Sequence, residues 1–511
     1  MKAVFVLFDS LNRLALEAYG GTMVDTPNFN RLAERGVTFD RHYVGSLPCM
    51  PARRDMHTGR LSFTHRSWGP LEPFDNSFAE ILKNQGVYTH LVTDHFHYFE
   101  DGGAGYHTKY NSWDFIRGQE YDPWKAMVEP PLDRFRNKFS RKHYDPEHAP
   151  RRMRHMVNLE LAGAEEQLPG PGCFASAFEF LETNKDADDW LLQLEVFDPH
   201  EPFHAPERFR REGDSTYSGG ILDWPEYKRV TDSPEEVREI RANYAALVRM
   251  CDEYFGRLLD FFDANDLWKD TALVLTTDHG FLLSEHEWWG KVRMPYYEEV
   301  SHVPLMVYHP DFTEHGGARC SAVTQTPDLM PTFLDMFGAA IPKEVRGSSL
   351  LAHLRDTAGQ EADPGKRAVA FGVFGGPIAV TDGRHVMFHY PPDVRGSGLH
   401  EYTLNPQHMS EAFALRELET AELGPSFDFT KGIRLLRIDA LSDANRVPQH
   451  DDQTFQDQWF ALYDLESDPR QECPIRDAEV EARLYSQMHA ILADIDTPRE
   501  AYGWYGLECP A

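Results

Sequence analysis

Cys49 heads the segment Cys49-Met50-Pro51-Ala52-Arg53, and Thr58-Gly59-Arg60 follows it. Pro51 suits a first helical position, where a missing N–H costs nothing, and Gly59 suits a C-terminal cap, so the spacing predicts a short helix from about Pro51 to Thr58. Cys49 then sits just outside the helix N-terminus, where unpaired N–H groups favour an anion. A lone cysteine is ordinarily a buried small hydrophobe, so the rest of the chain must supply the reason to read it as reactive. Asp9, Asp278 and His279 offer two carboxylates and an imidazole, the donor mix of a divalent-metal site. Oxygen-rich sets suit calcium, magnesium or manganese, and the nitrogen tilts the choice toward manganese or another transition ion. Each alone is weak, because an Asp after a strand is ordinarily a turn residue or helix cap. Glu285-His286-Glu287-Trp288-Trp289 misses the zinc-protease pattern, since the second His is lacking at the required position.

These groups need elements to bring them together. Short β-rich runs alternate with helical patterns over the first 340 or so residues, which signals an α/β fold around a large, mostly parallel sheet flanked by helices. Four runs end alike: Ala3 to Phe8 at Asp9, Val87 to Thr93 at Asp94-His95-Phe96-His97, Trp190 to Phe197 at Asp198-Pro199-His200, and Thr271 to Thr277 at Asp278-His279-Gly280. In a parallel sheet the carboxyl ends share one edge, where ligands bind. From Asn243 to Phe262, Leu247, Cys251, Tyr254, Leu258 and Phe261 recur at helical spacing and read as a core face.

Beyond Gly347-Ser348-Ser349-Leu350 the pattern changes. Residues 356–366 read as a polar linker between a catalytic α/β domain (1–365) and a smaller C-terminal α+β subdomain (366–511). In the latter, Ala368 to Phe374, Ile378 to Thr381 and Val386 to His389 read as strands joined by Gly375-Gly376-Pro377 and Asp382-Gly383-Arg384. Asp477 to Asp494 reads as a helix with Val480, Leu484, Met488 and Leu492 on one face. The weakly periodic segment 391–455 is expected to be an extension or oligomerisation arm, in keeping with an expected homo-oligomer.

A formal charge of −31 argues against nucleic acid as partner, because phosphate contacts need dense Lys and Arg. An anionic substrate must therefore be held by local charge. The basic run Arg134, Arg136, Lys138, Arg141, Lys142, Arg151, Arg152 and Arg154 reads as a solvated insertion or oligomer contact before an electrostatic funnel. No stretch reaches the ~20 apolar residues of a membrane span. The apolar start lacks a signal-peptide cleavage site, and six scattered cysteines match a reducing compartment, so the expected location is cytoplasmic with no membrane partner. Trp113, Phe115, Tyr121 and Trp124 could wall an aromatic pocket or simply pack.

Taken together, Cys49-Met50-Pro51-Ala52-Arg53 and Thr58-Gly59-Arg60 resemble the signature of type I sulfatases, in which a Cys-x-Pro-x-Arg cysteine becomes formylglycine. Further pieces match in order: Asp9, Asp198-Pro199-His200-Glu201-Pro202-Phe203, Asp278-His279-Gly280, Lys291 twelve residues after His279, Val303-Pro304-Leu305, Asp328 to Asp335, and Leu462 to Pro469. The likeness spans nearly the whole chain, with gaps around 100–185 and 391–455. It implies the alkaline phosphatase superfamily fold, one divalent metal ion (calcium or manganese), and a formylglycine-generating enzyme as partner in maturation. Residue 49, as a hydrated geminal diol, would attack sulfur or phosphorus, form a covalent intermediate, and expel sulfate by loss of a proton from its second hydroxyl. Asp9, Asp278 and His279 would hold the metal with residue 49, and Arg53 would steady the diol. Lys291 and His200 would bind the transferring group and stabilise or protonate the leaving oxygen. His97, with His95 as second candidate, stands where sulfatases commonly carry a Lys-x-His pair and would deprotonate the second hydroxyl.

Two departures stand out: Ser10 replaces the second of paired aspartates, and His95 replaces the lysine of the Lys-x-His pair. They place the chain nearer the branch of arylsulfatases and phosphonate monoester hydrolases. The resemblance thus implies hydrolysis of small anionic esters, sulfate monoesters first and phosphonate monoesters or phosphodiesters as the alternative. The competing reading is a non-catalytic anion-binding protein in which Cys49 stays a thiol.

Overall fold

The computed structural model describes residues 1–145, 150–356, 367–394, 396–441 and 460–510. Apart from Asp356, the expected polar linker lies outside the described residues, as does the 442–455 part of the expected extension.

Eight strands form the main sheet: β1 (Lys2–Phe8), β2 (Val37–Tyr43), β3 (Tyr88–Thr93), β4 (Ser112–Phe115), β5 (Trp190–Val196), β6 (Thr271–Thr277), β7 (Leu305–Tyr308) and β8 (Arg319–Gln325). Their order is β8-β2-β7-β6-β1-β5-β3-β4, and every pairing is parallel except the two made by β7. The central strands are apolar on both faces, as a sheet covered on both sides requires. Val4, Val6 and Phe8 join Leu192, Leu194, Leu273 and Leu275 under helices Pro27–Arg35, Pro169–Asn184 and Pro234–Ala264. Ala3, Phe5 and Leu7 join Leu191, Ala272 and Val274 under Cys49–Thr58, Phe78–Asn84 and Leu329–Met336. The α/β reading and its parallel sheet therefore hold.

The helix read from the spacing of Leu247, Cys251, Tyr254 and Leu258 does pack that face into the core, with Cys251 buried among apolar neighbours. It begins earlier than the periodicity shows, at Pro234, because Ser233 and Glu236 close a capping box there.

Strands 369–373, 378–381 and 385–389 form the expected antiparallel series, extended on one side by Phe460–Asp464. On the other side Val369–Val373 pairs in parallel with Ser46–Leu47, the residues that lead into the Cys49 helix. Leu484, Met488 and Leu492 of the helix Ala478–Asp494 cover this sheet, and the Asp477 carboxylate accepts from the N–H groups of Glu479 and Val480. Within 396–441, strands His400–Thr403, Glu422–Leu423 and Leu436–Asp439 form a small sheet that folds back on its own chain: Tyr402 N–H donates to the His65 carbonyl, and Arg66 pairs with Glu401. Among the described residues no helix is long and apolar enough to cross a membrane.

The loops after β3 and β5 are joined by a buried acid pair. Gln119 Nε2 donates to Asp94 Oδ2 (2.9 Å) and to Asp198 Oδ1 (3.0 Å), and Asp94 Oδ1 accepts from the Phe197 N–H at 2.7 Å. Burial raises the Asp198 carboxyl to about 7, and burial with the facing Asp198 raises Asp94 as well. One amide serves two carboxyls, so the pair is most stable when it retains a proton. The unfolded chain gives that proton up above an ordinary Asp value of about 4. Stability should therefore fall as pH rises from about 4 to 7, by up to about 4 kcal/mol from this pair. Asp198→Asn should flatten that decline; urea midpoints at pH 5 and pH 8 measure it, and equal slopes in both proteins would refute the assignment.

Candidate active site

The four predicted strand ends lie on neighbouring strands, in the order β6-β1-β5-β3, and their carboxyl termini share one edge. Phe8 is level with both Val196 and Thr277, so Asp9 and Asp278 leave the sheet side by side. The Ser10 N–H donates to Asp278 Oδ1 at 3.2 Å, tying the two strand ends together.

The helix bearing Cys49 starts at Cys49 itself, two residues before the predicted start. Pro51 sits inside its first turn, where N–H groups lack an intrahelical acceptor and a proline removes nothing. The C-terminal cap is where the spacing put it: Gly59 has φ 66°, and its carbonyl accepts from Arg346 and Gly347 N–H groups at 2.9 Å. Cys49 is thus the first helical residue, not one outside the helix. Nor is its sulfur an anion. Burial and the adjacent Asp9 carboxylate push the thiol well up, outweighing Lys291 and Arg53.

Arg53, one turn on, lies under the cluster. Its Nε donates to Glu195 Oε1 at 2.7 Å, Nη1 to Asp278 Oδ2 at 2.6 Å and to the Cys49 carbonyl at 3.1 Å, and Nη2 to Asp9 Oδ2 at 2.9 Å. Burial opposes a charged guanidinium, but the three carboxylates more than offset it. Burial likewise opposes an ionised Asp9, yet Arg53, Lys291 and His279 hold it at about 2.

On the open side, Cys49 Sγ lies 3.2 Å from His279 Nε2 and 3.5 Å from Lys291 Nζ. The His279 Nδ1–H is taken by the Gly280 carbonyl at 3.0 Å, which leaves the Nε2 lone pair facing the cluster, and burial keeps the ring neutral. Lys291 also donates to Ser10 Oγ at 3.3 Å, and Ser10 Oγ donates to Asp9 Oδ1 at 2.9 Å. Lys291 follows the short strand Trp289–Gly290, anchored by the Trp289 indole N–H on Asp232 (2.9 Å). Gly290, at φ 115°, is required there, because a Cβ would come within 2.8 Å of Tyr227.

One donor atom each from Asp9, Cys49, Asp278 and His279 lies within 4.8 Å of the other three, all on buried residues. Two carboxylate oxygens, an oriented imidazole nitrogen and the atom at position 49 fit a divalent cation.

His95, His97 and His200 border this cluster. His95 Nε2 is 3.7 Å from Asp9 Oδ2, and burial, then Arg53, hold its pKa well down. His97 Nδ1 donates to Glu100 Oε2 at 2.6 Å, so Nε2 carries the lone pair. His200 Nδ1 donates to the Glu201 carbonyl at 2.5 Å, and burial and Lys291 keep that ring neutral.

A sequence model of the Sulfatase family matches residues 2–339. The chain belongs to the sulfatase family. It is 24% identical over 468 residues to an N-acetylglucosamine-6-O-sulfatase of Bacteroides thetaiotaomicron, covering 81% of this chain and 83% of that protein. It is 25% identical over 380 residues to the multifunctional alkaline phosphatase superfamily protein PehA of Trinickia caryophylli, covering 65% and 71%. Among solved structures, one in complex with its substrate D-glucosamine-2-N,6-O-disulfate aligns with a TM-score of 0.64 over 98% of this chain and 99% of that one, at 16% identity. The phosphonate monoester hydrolase of Agrobacterium radiobacter aligns with a TM-score of 0.62 over 96% and 95%, also at 16% identity. The family implies a metal ion and formylglycine from the signature cysteine, and the donor set above suits both.

Glu195 was missed. Its signal was a pair of polar residues, Gln193 and Glu195, on one face of an otherwise apolar buried strand. Tyr98 OH (2.9 Å) and Gln193 Nε2 (3.0 Å) hold its second oxygen. Of the aromatic residues considered for a pocket, only Tyr121 approaches the site, 6.1 Å from the His97 ring. Phe115 stacks on Phe99, Trp113 meets His107 edge to face, and Trp124 lies against Lys125. The cavity beside Lys291, about 540 Å³, is lined instead by Glu120, Glu201, Trp224 and Tyr227. In the basic run Arg134 and Lys138 pair with Glu160, Arg136 with Asp133 and Lys142 with Glu236, while Arg152 reaches that cavity.

Removing the guanidinium should strand three buried carboxylates. Arg53→Met is expected to cost about 3–5 kcal/mol. The loss should be larger at pH 8 than at pH 5, because unpaired carboxylates are tolerated only when protonated. Urea unfolding of chelator-treated protein measures it; a loss below 1 kcal/mol at both pH values would contradict the arrangement.

Proposed function

We propose that the protein hydrolyses sulfate monoesters of the arylsulfatase type through formylglycine formed from Cys49. The observation that carries this is Cys49 itself: buried at a helix start, between His279 Nε2 and Lys291 Nζ, and held as a neutral thiol that is a poor nucleophile as it stands. Conversion to the hydrated aldehyde would put a hydroxyl nucleophile at that place; Asp9, Asp278 and His279 would hold a divalent cation, which when bound would supply Lewis-acid activation of that hydroxyl and of the ester.

The remaining roles fall to the chain's own groups. Lys291 presents its ammonium to the ester oxygens on the open side of residue 49, and Arg53 fixes Asp9 and Asp278 from below. His200, with Nδ1–H held by a carbonyl, accepts a proton at Nε2 when an anion enters and passes it to the leaving oxygen. His97, oriented by Glu100, takes a proton at Nε2 from residue 49, and His95 is the second candidate for that step.

Ser10 favours a second reading, a phosphonate monoester or phosphodiester hydrolase on the same groups. A hydroxyl in place of a carboxylate reduces negative charge where the ester oxygens bind, and all these esters are monoanions with a tetrahedral centre. The multifunctional relative supports keeping it. The ratio of kcat/KM for 4-nitrophenyl sulfate and 4-nitrophenyl phenylphosphonate decides between them.

In protein made with a formylglycine-generating enzyme, mass spectrometry of the residue 49 peptide should show sulfur replaced by oxygen. Cys49→Ala should abolish turnover, and Lys291→Ala should lower kcat/KM by roughly 100- to 1,000-fold. Chelation should remove activity and also lower the thermal midpoint, since a ligand of the native state stabilises it. An unmodified cysteine in such protein would leave the anion-binding alternative standing.

A further inference from the structure

The ability of the cluster to hold a cation turns on a side chain that is not among its four donor atoms. Arg53 donates to Oδ2 of Asp9 and to Oδ2 of Asp278, while Lys291 lies against Ser10 Oγ and Cys49 Sγ. Two positive groups therefore stand against the two carboxylates that would bind a divalent ion. Arg53 opposes that ion twice over, because it repels the charge and also competes for the ligand oxygens. On these four groups alone the pocket has no net charge with which to draw a cation.

Glu195 tips that balance. It is fully buried on β5, and its Oε1 accepts from Arg53 Nε at 2.7 Å. Tyr110 OH donates to Gln193 Oε1 at 2.6 Å, which turns the Gln193 amide so that its Nε2 donates to Glu195 Oε2 at 3.0 Å. Tyr98 OH meets the same oxygen at 2.9 Å. Both oxygens thus accept, a pattern that suits the ionised acid; burial raises this carboxyl, and Arg53 is the first group to oppose that rise. We infer that Glu195 is a positioning residue for the cation: it offsets the Arg53 charge from behind and fixes the guanidinium through Nε, so that Asp9 and Asp278 keep the net negative charge that holds a divalent ion. Position 10, which touches Asp9 and Lys291, carries only a hydroxyl. Glu195 supplies the missing charge from a neighbouring strand without taking a coordination position. The inference rests on cation binding at Asp9, Asp278 and His279, and not on which ester is cleaved.

Manganese(II) titrated calorimetrically into chelator-treated protein tests this without any turnover. Glu195→Gln, which keeps the shape and loses the charge, should weaken manganese binding by roughly tenfold or more. Glu195→Asp, which keeps the charge and loses a methylene, should weaken it by less than about threefold. A packing role predicts the opposite order. Glu195→Met takes the place of Glu195→Gln should that protein not fold, with the same expected loss. Ser10→Asp gives a measurement that leaves the core untouched, since aspartate tolerates the φ of 60° at position 10. It should tighten manganese binding in the wild-type background and recover most of the affinity lost in Glu195→Gln. Equal affinity of the wild type and Glu195→Gln, weaker binding by Glu195→Asp than by Glu195→Gln, or a constant unmoved by Ser10→Asp overturns the role of Glu195 and leaves the cation site standing. Wild-type protein that binds no manganese overturns the cation site and this inference with it, whereas formylglycine formation at Cys49 is read separately, from the mass of its peptide.

Discussion

One guanidinium shared among three carboxylates sets the geometry of everything around it. Asp9, Asp278 and Glu195 come from three adjacent strands, and Arg53 from the helix that carries residue 49. Each of its three nitrogens meets a different strand, and one also reaches the Cys49 carbonyl. Bonds of that kind are short and directional, and deep burial strengthens them. The position of residue 49 relative to Asp9 and Asp278 is therefore fixed by its own helix, without help from solvent-exposed loops.

The sheet exists in the form that makes this possible. Four neighbouring parallel strands deliver their carboxyl ends to one edge, and continuous apolar runs let helices cover both faces. The second sheet contributes in an unexpected way. By pairing Val369–Val373 with Ser46–Leu47, it fixes the stem that feeds the Cys49 helix. Asp55, in the last turn of that helix, accepts from the Ser46 N–H (2.6 Å) and Ser62 Oγ (2.8 Å), clamping stem and exit together. The helix is thus held at both ends, which a ten-residue element needs, since helices this short are marginal alone.

Much of this was legible in the sequence because it rests on local rules. Strand ends followed by Asp or His, a glycine at a helix end and the 3.6-residue spacing of Leu247, Cys251, Tyr254 and Leu258 are all short-range signals that landed where they pointed, whereas the proline marked the helix but put its start two residues late. What was not legible depends on partners distant in sequence. Glu195 meets Arg53 across 142 positions, so only its oddity in an apolar strand could have flagged it. The protonation of Cys49 could not be read from its helix terminus alone, because the Asp9 carboxylate and the burial that push the thiol up come from tertiary structure. The aromatic residues between 113 and 124 were ambiguous for a related reason: the stacking of Phe115 on Phe99 is a tertiary fact. The cavity wall comes from Trp224 and Tyr227 instead, far along the chain.

The charge balance of the inner cluster connects these pieces to the net charge of −31. Asp9, Asp278 and Glu195 stand against Arg53 and Lys291, so the protein alone presents a slightly negative site to an anionic ester. A buried site of that sign would repel its substrate, and an overall acidic surface would not help. A divalent cation held among Asp9, Asp278, His279 and residue 49 would reverse that sign by the smallest amount that attracts a monoanion. A carboxylate in place of Ser10 would cancel that gain. The hydroxyl at position 10 instead hydrogen-bonds both Asp9 and Lys291 without adding charge. It leaves the ammonium free of a second carboxylate, so that a cation held there would weigh on anion binding as much as on chemistry.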